Sequence, residues 1–145
     1  MEKILLGGCL CGAVRYECTG DTEDASYCHC DDCKKATGGP YTVGVRVQAA
    51  ELHIVSGRAK GYTTIADSGR KITREFCPSC GSPLFTRAEK LPDSVFLKAG
   101  SLDEPELIKP SCQTWTKRAV PWAYIDTKLP SYPESSDSQT DINQK

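Results

Sequence analysis

Seven of the nine cysteines in this 145-residue chain fall into three tight groups. They are Cys9-x-Cys11, Cys28-x-Cys30-x2-Cys33 and Cys77-x2-Cys80. Such grouping constrains the fold more than any other feature, because thiols this close hold a metal, form disulfides or do redox chemistry. The count is odd, and the start "MEKILLGGCLCG" has too short an apolar run for a signal peptide. A reducing cytoplasm is the expected setting, and there clustered cysteines more often bind metal than pair as disulfides. A thioredoxin-type C-x2-C normally opens a helix in an α/β protein. Here "GSPLF" follows Cys80 and reads as the start of a strand.

Zinc–thiolate bonds of ~2.3 Å bring ligand sulfurs within about 4 Å of one another. In "FCPSCGSP" (76–83), Pro78 stiffens the turn and Gly81 can take positive φ, the form of a zinc knuckle. The C-x-C pair is expected on an extended segment, with both thiols on one side. Two pairs then make a closed four-thiolate set of Cys9, Cys11, Cys77 and Cys80, the pattern of structural zinc. Cys28, Cys30 and Cys33 are left over. Three protein ligands with an exchangeable fourth position is the pattern of catalytic zinc. Spacing favours this open site but also admits a closed one completed by Cys18, Cys112 or His29. Thiolates favour zinc and also accept iron.

The remaining residues read as sheet. Alternating or β-branched runs cover 13–18, 41–47, 52–55, 61–66, 71–76, 83–87, 94–100 and 112–116. Twelve glycines and nine prolines punctuate them, as in a sandwich or barrel-like protein. The one helical candidate is "DDCKKAT" (31–37), capped by Asp31 or Asp32 and ended by Gly38-Gly39-Pro40. Lys34 and Lys35 lie on it, either solvated or facing a substrate carboxylate. His29 should point away from the sulfurs, as proton carrier, packing residue or surface residue. Cys18 and Cys112 read as core fillers. Residues 1–133 form one zinc-binding domain, and the polar 134–145 is expected to be a disordered tail. Net charge is −1, so no nucleic-acid partner is expected, and no stretch is long and apolar enough to suggest a membrane partner. Oligomeric state is not legible.

In order, "GGCLCGAVRYE" (7–17), "YCHCDDCKKATGGPY" (27–41), "FCPSCGSPLF" (76–85), "LKAGSLDEP" (97–105) and "WTKRAVPW" (115–122) resemble the glutathione-dependent formaldehyde-activating enzyme family, which includes centromere protein V. The resemblance spans roughly residues 5–133. It implies a mainly β fold of small coiled sheets in a zinc-stabilised, sandwich-like domain, related to the type B methionine sulfoxide reductases. It implies two zinc ions per chain: a structural one on Cys9, Cys11, Cys77 and Cys80, and a catalytic one on Cys28, Cys30 and Cys33. The implied activity is that of a carbon–sulfur lyase acting on a small thiol adduct, such as glutathione plus formaldehyde giving S-hydroxymethylglutathione. The alternative is a non-catalytic interaction module with two structural zinc sites.

Overall fold

The computed structural model describes residues 4–22, 24–66 and 68–135. Strands dominate: β1 (Leu5–Gly8), β2 (Arg15–Cys18), β3 (Asp24–Cys28), β4 (Thr42–Gln48), β5 (Leu52–Ser56), β6 (Lys60–Ile65), β7 (Lys71–Phe76), β8 (Pro83–Ala88), β9 (Ser94–Lys98) and β10 (Cys112–Thr114). One α-helix, α1 (Asp31–Thr37), joins them with short 3-10 turns. The mainly β expectation holds.

The chain divides into two compact units. The first comprises Met1–Asp24 and Gly44–Ile108. Within it β1, β2 and β5 form one antiparallel sheet. From Gly44 onward β4 pairs with β9, and β9, β8, β7 and β6 follow in antiparallel order. Alternation in β4 and β9 buries Val45, Val47, Val95 and Leu97 completely or nearly so. Tyr16 packs its ring edge-on to Phe85, with centroids 5.0 Å apart. Its hydroxyl donates to Ser101 Oγ at 2.7 Å, and Ser101 in turn donates to the Lys98 carbonyl. Arg15 grips the Asp103 carboxylate through both terminal nitrogens, at 2.9 and 2.6 Å.

The strand β1 was hidden in the sequence by its Gly7-Gly8 ending. Gly7 is there for space: a Cβ would lie 2.4 Å from Tyr16 Oη and 2.6 Å from the Ser101 carbonyl. A weak strand former is therefore placed by tertiary packing.

The second unit comprises Ala25–Val43 and Lys109–Lys145. Its frame is the parallel pairing of β10 on β3, with Cys112 opposite Ser26 and Thr114 opposite Cys28. The segment 130–134 is tied alongside: Gln113 N–H donates to the Pro130 carbonyl, Tyr132 N–H to Gln113, and Trp115 N–H to Glu134. Glu134 thus has a defined partner; residues 136–145 of the expected tail lie outside the described residues.

The helix occupies 31–37 as expected and ends on Gly38 at φ 78°. Its cap differs. Neither Asp31 nor Asp32 is the N-cap; Cys30 is, its sulfur accepting the Cys33 N–H. The acidic pair sits one step later, in the first turn, where it complements the helix dipole. Two strands also end early. The run 94–100 leaves the sheet after Lys98 for a 3-10 turn, and the run 112–116 ends at Thr114 because Trp115 takes φ 58°.

Candidate metal centres

In the first unit, the sulfurs of Cys9, Cys11, Cys77 and Cys80 all lie within 4.8 Å of one another. Two turns deliver them. Cys77 leaves β7 and Cys80 follows in a loop closed by the Gly81 N–H donating to the Cys77 carbonyl at 2.8 Å. Gly81 takes φ +79°, which only glycine adopts without cost. The turn points Ser79 and Cys80 N–H groups at Cys77 Sγ, at 3.4 and 3.5 Å.

Cys9 and Cys11 do not lie on an extended segment. They form a turn in which Gly12 N–H donates back to the Cys9 carbonyl, and Cys9 Sγ sits 3.6 Å from Cys11 Sγ. The Val14 N–H adds a donor to Cys9 Sγ at 3.2 Å. Extended alternation was a sound way to put two thiols on one side; the turn achieves it with the chain doubled back toward β2.

Ser82 is a site residue that motif spacing did not single out. Its hydroxyl oxygen accepts the Leu10 N–H at 3.0 Å, which bridges the two turns. Its Oγ lies 3.1 Å from Cys80 Sγ. Hydrogen bonding by Ser82, side chain first and then backbone, brings the Cys80 thiol down to about 5. Cys11 moves the other way, to about 11: the Ala13 backbone lowers it, but the neighbouring thiols of Cys9 and Cys80 outweigh that. Cys9 is lowered, chiefly by the Val14 N–H. The set is therefore primed to be partly ionised, and backbone dipoles stabilise the negative sulfurs.

In the second unit, the sulfurs of Cys28, Cys30 and Cys33 also lie within 4.8 Å of one another. Cys28 ends β3, Cys30 caps α1, and Cys33 is buried one turn into the helix. No fourth Cys, His, Asp or Glu among the described residues joins this cluster. Cys18 is buried at the end of β2, in the other unit, and Cys112 opens β10 opposite Ser26; neither is part of either cluster. Hydrogen bonds from Cys28 and then Cys33, followed by burial, push the Cys30 thiol far above its usual range. Cys28 is also raised: the Cys30 thiol lowers it, but Cys33 and burial prevail. Three crowded, half-buried thiols cannot all ionise without a cation among them.

His29 lies between two of these sulfurs and is fully buried. Its Nε2 is 3.1 Å from Gln113 Oε1, and its ring meets Tyr41 edge-on at 5.3 Å. Of the three roles open to it, the surface one is excluded by this burial. Lys34 is not a solvated lysine. Its Nζ donates to the Arg118 carbonyl at 2.6 Å and pairs with Asp31 at 3.2 Å. Lys35 is exposed.

Both donor sets suit a thiophilic dication: close-set sulfurs, and backbone N–H groups supporting thiolate charge. The four-thiol cluster of the first unit and the three-thiol cluster of the second have the donor chemistry of thiolate metal centres, and each could hold an ion. Residues 4–118 match the glutathione-dependent formaldehyde-activating enzyme family, and the chain belongs to that family. A crystal structure of a Rhodobacter sphaeroides protein is similar, with a TM-score of 0.57 and 21% sequence identity. The match covers 72% of this chain and 96% of that one, and at this identity it is a likeness of fold. No helix among the described residues is long and apolar enough to cross a membrane.

Proposed function

We propose that the chain is a zinc-dependent carbon–sulfur lyase-type enzyme that joins a small thiol to an aldehyde, with glutathione and formaldehyde as the leading pair. The observation that carries this reading is the three-sulfur cluster with no fourth ligand among the described residues. In the forward direction the thiol sulfur bonds to the carbonyl carbon, the C=O π electrons move to oxygen, and the thiol proton ends on that oxygen. The product is the S-hydroxymethyl adduct, and the reverse reaction breaks the same C–S bond.

A zinc ion held by three thiolates supplies a Lewis acid that keeps a further thiol ionised near neutral pH. Cys28, Cys30 and Cys33 would hold it, and three thiolates leave the centre with one less negative charge than four. The Cys33 N–H supports the charge on Cys30 Sγ at 3.3 Å. Tyr41 meets both Tyr27 and His29 edge-on, with ring centroids 4.9 and 5.3 Å apart, which fixes the two residues flanking Cys28. The Asp31–Arg118–Lys34 set neutralises charge beside the cap, and exposed Lys35 remains available to an acidic thiol such as glutathione. Cys9, Cys11, Cys77 and Cys80 would hold a structural zinc. Nine free thiols fit a reducing compartment such as the cytoplasm.

The test is to mix the zinc-loaded protein with glutathione and formaldehyde and to follow exchange between free and adducted formaldehyde by NMR. Exchange faster than the uncatalysed reaction is expected. No acceleration would sink the glutathione reading. Cys30→Ser should abolish acceleration in a folded protein, whereas Cys80→Ser should unfold the first unit. If Cys30→Ser unfolds its unit just as completely, both centres are structural and a non-catalytic zinc module is the better description.

A further inference from the structure

The side chains around His29 place a hydrogen on its Nε2. Ser131 Oγ donates to the Leu129 carbonyl at 3.1 Å, so its oxygen faces Gln113 as an acceptor. The Gln113 amide nitrogen donates to the Asp126 carbonyl at 3.1 Å and to Ser131 Oγ at 3.3 Å. Both partners are acceptors only in this arrangement, which fixes the amide orientation. Gln113 Oε1 must then face His29, and the His29 nitrogen beside it must carry a hydrogen. His29 is 0% exposed and Gln113 1%, so no solvent competes for these bonds. The other ring nitrogen, Nδ1, is buried without a partner.

The backbone repeats the connection. His29 N–H donates to the Thr114 carbonyl at 3.1 Å, next to Gln113. Gln113 N–H and carbonyl are both bonded to the 130–132 segment, at 2.9 Å each. The residue between Cys28 and Cys30 is thus anchored by its side chain to Gln113 and by its main chain to Thr114, and through Gln113 to residues 126–132.

We propose that His29 is a positioning residue for the Cys28–Cys33 metal centre, held as the Nε2–H tautomer by Gln113, and that this Nε2–H bond sets the spacing of the Cys28 and Cys30 sulfurs. The inference rests on the reading of the three-thiol cluster as a metal centre, but not on lyase activity. Removing Gln113 or the Nε2 donor frees the ring, lets the Cys28–Cys30 segment relax, and weakens the centre as supporting groups behind a ligand typically do, by about 10- to 100-fold in metal affinity.

The experiment uses the full chain loaded with cadmium-113, whose NMR signal reports each centre separately during chelator competition. Glutamine places its amide nitrogen where histidine has Nε2, and asparagine places its own near Nδ1. His29→Gln should hold cadmium at the three-thiol centre about as tightly as the wild type. His29→Asn, His29→Leu and Gln113→Leu should lose it at about 10-fold lower chelator concentration, or lower still, with the four-thiol signal unchanged. Nitrogen-15 NMR of the wild-type histidine should show hydrogen on Nε2. Hydrogen on Nδ1 instead, or rescue by asparagine rather than glutamine, overturns the proposal. Equal affinity in all variants also overturns it, reducing His29 to packing. A wild type with no signal from the three-thiol centre removes the metal reading itself, and the proposal with it; a wild type that binds while every variant binds as tightly removes the proposal alone.

Discussion

Cys30 Sγ accepts the backbone N–H of Cys33 at 3.3 Å, so one clustered sulfur is also the N-cap of the only α-helix among the described residues. The helix is seven residues long and cannot nucleate alone. Its start and the metal-binding cluster are therefore one construction.

Serine is among the best N-caps, and alanine among the poorest. Cys30→Ser should keep α1 while removing a ligand, and Cys30→Ala should lose both. With metal confined to the four-thiol centre, Cys30→Ala should unfold at lower urea than Cys30→Ser, by about 1 kcal/mol. Equal midpoints would mean that the cap contributes nothing.

Cys77 is fully buried at the meeting of the two turns of the first unit. Cys77→Ser should halve the metal content per chain and sharply lower the melting temperature. Chelation of the wild type should have the same direction of effect, reversed by added zinc. A melting temperature indifferent to chelator would exclude a structural role.

Burial, partly offset by its Ser101 bond, raises the Tyr16 hydroxyl to about 12. An unfolded tyrosine titrates near 10, so the folded state resists losing this proton. The contribution is intact below about pH 10 and is lost as the pH rises through about 12, amounting to roughly 2–3 kcal/mol. Tyr16→Phe should be less stable at neutral pH by about 1 kcal/mol but show a shallower alkaline decline. Thiols titrate alike in both proteins, so the difference between the two urea series isolates Tyr16.

Gly7 has room for hydrogen alone: a Cβ would lie 2.5 Å from Tyr16 Cζ as well as 2.4 Å from its oxygen. Gly7→Ala should cost about 1–3 kcal/mol in urea denaturation, as overpacking does. Tyr16→Phe should not rescue it, because the ring carbon and the Ser101 carbonyl remain in the way. Full rescue would show that the hydroxyl was the sole obstacle.

The thiol clusters were legible because ligand spacing is local: a C-x2-C turn brings its two sulfurs close wherever it is placed. The strands β4 to β9 were legible because their apolar residues alternate, and α1 because Gly38 follows a helical run. The strand β1 was not, since only Tyr16 and Ser101, far along the chain, explain its glycines. Nor was Ser82, whose value lies in touching Leu10 and Cys80 together. The fate of His29 depended on Gln113, 84 residues away. Alternation within a short segment carries no information about a partner that far along the chain.

The four-thiol centre joins Cys11 to Cys77, 66 positions further on. Closing a loop of that length with a covalent bridge would remove about 4 kcal/mol of chain entropy from the unfolded state. A bound metal would perform this closure without oxidising a single sulfur. Under the proposed structural zinc, the staple would survive reductants that open a disulfide and would fail under zinc starvation instead. The integrity of the first unit would then be tied to the supply of free metal around it, and to surroundings that keep its four sulfurs reduced.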